Sequence, residues 1–103
     1  MYKPQISLIG SRNLSAESLK LVEALSYCLV EAGCRIVTGG MGSLQKSAHK
    51  GAKSSPAASD CDTIAILPGF DPEPALGHAD VVIPTGLDLY RNVIVATSDV
   101  VIS

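Results

Sequence analysis

Tryptophan is absent from this chain, and the few aromatics are three Tyr and one Phe among 103 residues. A core without large rings has to be built from small aliphatics, and Val, Ile, Leu and Ala make up most of the 47% hydrophobic fraction. That composition suits strands buried on both faces of a parallel sheet. Charge is also scarce, at 17% with a net of -2. No run of Lys and Arg occurs, which argues against a nonspecific nucleic-acid surface. Lys46, Lys50 and Lys53 come nearest, and their helical spacing fits a solvated face as well as a basic patch. The three cysteines, Cys28, Cys34 and Cys61, match no zinc spacing. Cys28, on the apolar face of a predicted helix, and Cys34, opening a predicted strand, read as small buried hydrophobes. No apolar run approaches the ~18 residues of a membrane helix. Met1–Gln5 leads straight into a strand with no signal peptide visible, so a cytoplasmic setting is expected. His49 and His78 have no partner at metal or triad spacing, no G-x-S-x-G elbow occurs, and Asp71, Glu73 and Asp80 form no acid/base pair. Spacing alone therefore defines no catalytic residue and no metal site.

What is present is a strand–helix alternation in what length suggests is one domain. Ile6–Ile9 is a short apolar run ending at Gly10-Ser11 and reads as a buried strand. Ser15 is a good helix N-cap, and Leu19, Val22, Leu25, Leu29 and Val30 recur at helical spacing. Gly33 supplies the stop. Cys34–Thr38 predicts a second strand, and Ser43–Ala52 a second helix. Lys53–Asp62 is rich in turn formers and predicts a loop. Thr63–Leu67 predicts a third strand and Asp80–Ile83 a fourth, with a Pro-containing loop between them. Leu87–Thr97 predicts a helix with Leu87, Tyr90, Val93 and Ile94 inward. Ser98–Ile102 predicts a fifth strand. This order implies a mainly parallel five-stranded sheet with right-handed crossovers. Ligands of such sheets bind beyond the carboxyl ends of the strands, where the glycine-bearing turns fall.

Three turns carry the candidate site. Gly10, Ser11 and Arg12 follow the first strand, where glycine admits a phosphate to the backbone, Ser11 can donate and Arg12 can pair with an anion. Gly39, Gly40, Met41 and Gly42 place three glycines within four residues between strand and helix, a conformational cost that close approach or special backbone geometry would explain. This turn lacks the Walker Lys-Ser/Thr and is not G-x-G-x-x-G. Thr85, Gly86 and Arg91 follow the fourth strand; Thr85 can bind a hydroxyl or phosphate, and Arg91 can point toward the same crevice. For each turn the alternative is plain tight packing, and for Arg91 a surface ion pair, with Asp88 as one partner.

The segments IGS at Ile9–Ser11, TGGMGSL at Thr38–Leu44, AHKGA around His49, AILPG at Ala65–Gly69 and PTGLDLYRNVIV at Pro84–Val95 resemble the LOG/DprA-like superfamily of Rossmann-type proteins over essentially the whole chain. The last segment is most similar to the molybdenum-cofactor carrier branch, near the LONELY GUY hydrolases. The resemblance implies a Rossmann-like three-layer α/β/α sandwich. Gly39, Gly40, Met41 and Gly42 would line a nucleotide pocket, with Gly10 and Ser11 contributing and Arg91 matching the nucleotide-binding arginine of the hydrolases. The implied ligand is a phosphorylated small molecule, either a purine nucleotide or a molybdopterin-type cofactor, and the implied assembly is a homodimer or larger homo-oligomer. The superfamily's second glycine motif, ending in G-T-x-x-E with the hydrolases' catalytic Glu, does not occur before Ser103. The expectation is therefore an incomplete family domain, 1–103, that binds rather than turns over. The alternatives are a fragment of a nucleoside 5′-monophosphate phosphoribohydrolase and a DprA-like DNA-processing domain.

Overall fold

A computed structural model of the chain describes residues 3–10, 14–40 and 42–102. Gln5–Leu8 forms β1 and Ala16–Glu31 forms α1. The α1 start is local chemistry: the Ser15 hydroxyl accepts the Ser18 N–H at 3.1 Å. Its end is a Schellman turn, in which Gly33 takes φ +88° while Gly33 N–H and Cys34 N–H donate to the carbonyls of Val30 and Leu29. Arg35–Thr38 is β2, Gly42–Lys53 is α2 and Thr63–Leu67 is β3. A 3₁₀ turn at Glu73–Ala75 precedes β4, Val81–Pro84; another at Asp88–Tyr90 runs into α3, Arg91–Val95, and β5 is Val100–Ile102.

All strand pairs are parallel, in the order β4-β3-β2-β1-β5. Side chains alternate between the two faces along each strand. Ile6, Leu8 and Ile36 pack with Val30, Ala48 and Ala52 beneath α1 and α2. Val37 and Ile66, on the other face, pack with Val95 of α3. Helices therefore cover both faces, and the fold is the three-layer Rossmann-like α/β/α sandwich expected from the sequence.

Two expectations are corrected. The helix foreseen over Leu87–Thr97 is only five residues long, and Leu87, Tyr90, Val93 and Ile94 are exposed, Tyr90 to 77%, while Val95 is buried at 2%. Asp88 takes φ +51°, and its N–H is held by the Pro68 carbonyl at 2.9 Å. That tie breaks the helical phase, so α3 begins late and turns a different residue onto the sheet. Cys28 is exposed rather than buried. The inward stripe of α1 runs through Val22, Leu25, Ser26, Leu29 and Val30, and Cys28 falls outside it together with exposed Leu21, one heptad away.

Candidate functional site

From β1 the chain reaches β2 through α1 on one face, and it returns to β5, on β1's other side, through α3 on the opposite face. That reversal leaves a crevice at the carboxyl ends of the strands. A cleft of about 630 Å³ opens there. Leu8, Ile9 and Gly10 contribute from β1 and its turn, and Gly39, Gly42, Ser43 and Leu44 from the β2–α2 junction. Arg91, Asn92, Val95 and Ala96 of α3 and Val101 of β5 close it. No Asp, Glu, His or Cys is among these residues, and Arg91 is the one charged side chain.

The three described glycines of the Gly39–Gly42 turn serve different purposes. Gly40 has φ +79°, and a Cβ there would come within 2.6 Å of Leu67 Cδ2 and 3.1 Å of Ala65 Cβ. Its amide donates to the Thr38 hydroxyl at 3.2 Å. That hydroxyl donates to the Gln45 side-chain carbonyl, and the Gln45 amide donates to the His78 carbonyl. Gly40 is thus a buried structural element and not a cleft residue. Gly42 has φ +81° with open space around it, and starts α2. Gly39 lies under the Arg91 guanidinium, whose nearest nitrogen would be 2.0 Å from a Cβ at that position.

The first turn of α2 forms one wall, contains no acidic side chain, and is followed by Lys50 and Lys53 in the last turn. Backbone amides at a helix start carry partial positive charge and favour anions. Together with Arg91 this makes the cleft electropositive on one side and aliphatic on the rest.

Of the residues read from the sequence, the fold brings Gly10, Gly39, Gly42 and Arg91 to one cleft. Thr85 and Gly86 lie after β4, at the far edge of the sheet. The Thr85 hydroxyl donates to the Leu67 carbonyl at 2.7 Å and accepts the Leu87 N–H at 3.2 Å, while Gly86, with φ +68°, packs against the Phe70 ring. Ser11, Arg12 and Met41 are outside the described residues. Ser43 and Asn92, given no binding role from the sequence, also line the cleft. A hydroxyl in the first turn after a glycine-rich junction was a visible signal for Ser43. Asn92 follows Arg91 directly in the third candidate element and was given no role of its own.

The opposite, amino-terminal end of the sheet holds the buried charges. Asp62, fully buried, pairs with Lys3 at 3.1 Å. Burial pushes its carboxyl up, but the Ser59 N–H and Lys3 outweigh this and hold it below the usual carboxylate value. Asp80 pairs with Lys53 at 3.0 Å and accepts the amides of Asp62 and Thr63. His49 Nδ1 lies 2.9 Å from the Thr63 hydroxyl, and burial holds its imidazole below the ordinary 6.5, helped by Lys53 and His78 and opposed by Asp80. Lys53 and Lys50 are both engaged, the latter with Glu23 at 3.8 Å, so the lysine trio is not a free basic patch. Among the described residues no cluster of three His, Cys, Asp or Glu suits a metal ion. No described helix is long and apolar enough to cross a membrane.

The class defined by this sheet order and crevice is the Rossmann-like ligand-binding fold. A model of the SLOG cluster4 family matches residues 3–103, and the chain belongs to that family. An uncharacterized protein of Archaeoglobus fulgidus is 31% identical over 100 residues, spanning 96% of this chain and 63% of its own. The structure of a molybdenum cofactor binding protein from Rippkaea orientalis superposes with a TM-score of 0.85 at 32% identity, over 98% of this chain and 61% of its own. The molybdenum cofactor carrier protein of Chlamydomonas reinhardtii does so with a TM-score of 0.74 at 28% identity, over 97% and 60%. The chain thus spans about three-fifths of the length of these relatives.

Proposed function

We propose that the cleft binds a phosphorylated small molecule and that the ligand is a molybdopterin-type cofactor, bound and carried without conversion. The observation that carries this reading is the position of Arg91 beside Gly39 and an acid-free start of α2, at the carboxyl end of the sheet. A phosphate fits the charged side, through Arg91 and the Gly42–Leu44 turn. A planar heterocycle fits the aliphatic side, against Ile9, Leu44 and Val101. The molybdenum-cofactor descriptions of the two solved relatives favour a pterin over a purine. The described lining offers a binding surface with no carboxylate or imidazole for proton transfer. The proposal includes a cytoplasmic homodimer, in keeping with three free cysteines and with exposed Tyr90, Val93 and Ile94.

Thermal melts with ~1 mM AMP, ATP, ribose 5-phosphate, phosphate or a pterin phosphate test the reading, because a ligand at about 100 times its Kd adds about 2.7 kcal/mol. A selective rise with the pterin phosphate supports it. A selective rise with AMP moves the ligand to purine nucleotides, and release of free base from AMP would mark a hydrolase. No shift with any phosphorylated compound removes the cleft as a phosphate site. Light scattering at high concentration reads the dimer, and a monomer mass overturns that part.

A further inference from the structure

We infer that Gly39 is a positioning residue that seats the Arg91 guanidinium, and that through this seat it sets the cleft's preference for a phosphate monoester over its uncharged counterpart. The inference rests on the phosphate-binding reading and deepens it.

The geometry is specific to Gly39. The three atoms nearest a Cβ built there all belong to the Arg91 head: Nη1 at 2.0 Å, Cζ at 2.9 Å and Nη2 at 3.2 Å. No backbone atom is among them, unlike Gly51, whose Cβ would meet the Glu23 carbonyl oxygen at 2.0 Å. Gly39 is also not among the glycines of positive φ, so its backbone does not itself require glycine. What requires glycine is the planar head of a side chain 52 positions later in the chain. A methyl group at 39 would displace the charge rather than the backbone, because the far end of a flexible arginine moves more easily than backbone. Arginine recognises phosphate through a fixed two-pronged geometry, so a shift of about 1 Å forfeits much of that contact. A residue with no side chain of its own would thereby decide whether the cleft distinguishes a phosphate.

The test is calorimetric titration of the full chain with a pterin phosphate and with the same pterin lacking its phosphate, for wild type, Gly39→Ala, Arg91→Ala and the double variant, with melts recorded for each. In the Arg91→Ala background the clash is gone, so the double variant folds even if Gly39→Ala alone is impaired. Arg91→Ala should weaken binding of the pterin phosphate by about tenfold or more and leave the unphosphorylated pterin unchanged. Gly39→Ala should reproduce that loss with little change in melting point. The double variant should bind the pterin phosphate within about twofold of Arg91→Ala, the non-additivity of residues acting as one unit. A further loss in the double variant as large as in Gly39→Ala alone overturns the inference, because Gly39 would then face the ligand itself. The Arg91 side-chain Nε–H resonance supplies a ligand-free readout: it should shift in Gly39→Ala, and an unmoved resonance also overturns the seat. A wild type that binds the pterin phosphate no better than the unphosphorylated pterin, with the resonance still shifted, overturns the phosphate role and the reading beneath it while leaving the packing intact.

Discussion

The two ends of the sheet use their polar groups in opposite ways. At the amino end, Asp62 and Asp80 are each engaged by a lysine and by backbone amides, and Thr63 links Asp80 to His49. Those groups satisfy one another, and none of them lines the cleft at the carboxyl end. At the carboxyl end, Arg91, Ser43, Asn92 and the first turn of α2 surround a cleft of about 630 Å³. Buried polar groups stabilise a fold only when paired, whereas a binding site needs donors that still face solvent. Under the proposed function folding and binding fall to different ends, and substitutions should separate them.

The largest effect should come from Asp80→Ala. It removes the carboxylate partner of Lys53, whose amine keeps the Ser59 carbonyl, and strands two backbone amides at a nearly buried position, and a loss of about 3 kcal/mol is expected in urea unfolding. Ligand affinity should not change; a parallel loss of affinity would break the separation of the two ends. Next is Gly40→Ala, the point where the carboxyl end meets the core. Positive φ and the approach to Leu67 and Ala65 should together cost about 2 kcal/mol, read as a lower melting point.

Acid should weaken the amino end in two stages. His49 has a folded pKa below 6.5, so the unfolded chain takes up its proton first. Stability should fall as pH drops from about 6.5 toward the folded value, and His49→Gln should flatten that stage. Asp62 is held below 3.8, so its contribution is complete above that pH and is lost as pH falls through the lower folded value. The smallest stability change is expected for Arg91→Gln, within about 1 kcal/mol. Its loss should appear in the melting shift given by phosphorylated ligands. A large drop in intrinsic stability with ligand binding retained would mean that Arg91 serves the fold.

Much of the fold was legible because its signals are local. Ser15 and Gly33 mark the ends of α1 by hydrogen bonds that span only a few residues. The runs at Ile6, Ile36 and Ile64 announce strands by composition alone. The phase of α3 was not legible, since it depends on a hydrogen bond from Asp88 to Pro68, twenty positions away. The site was legible residue by residue. Gly10, Gly39, Gly42 and Arg91 were all named from their turns, yet so were Thr85 and Gly86, which the fold places at another strand end. Gly40 looked like part of the cradle and proves to be packed against Leu67 and Ala65.

The sequence by itself determined the alternation of strands and helices, the parallel sheet and the position of the glycine-bearing turns. Periodicity, capping and the conformational range of glycine act over a few residues and are written in the chain order. Only the tertiary structure decided which turns share a cleft, that each of the three described glycines of one turn answers a different need, and that Arg91 rests on Gly39. Those facts depend on the strand order β4-β3-β2-β1-β5 and on side chains meeting across 52 positions of sequence, and no local rule encodes such a distance.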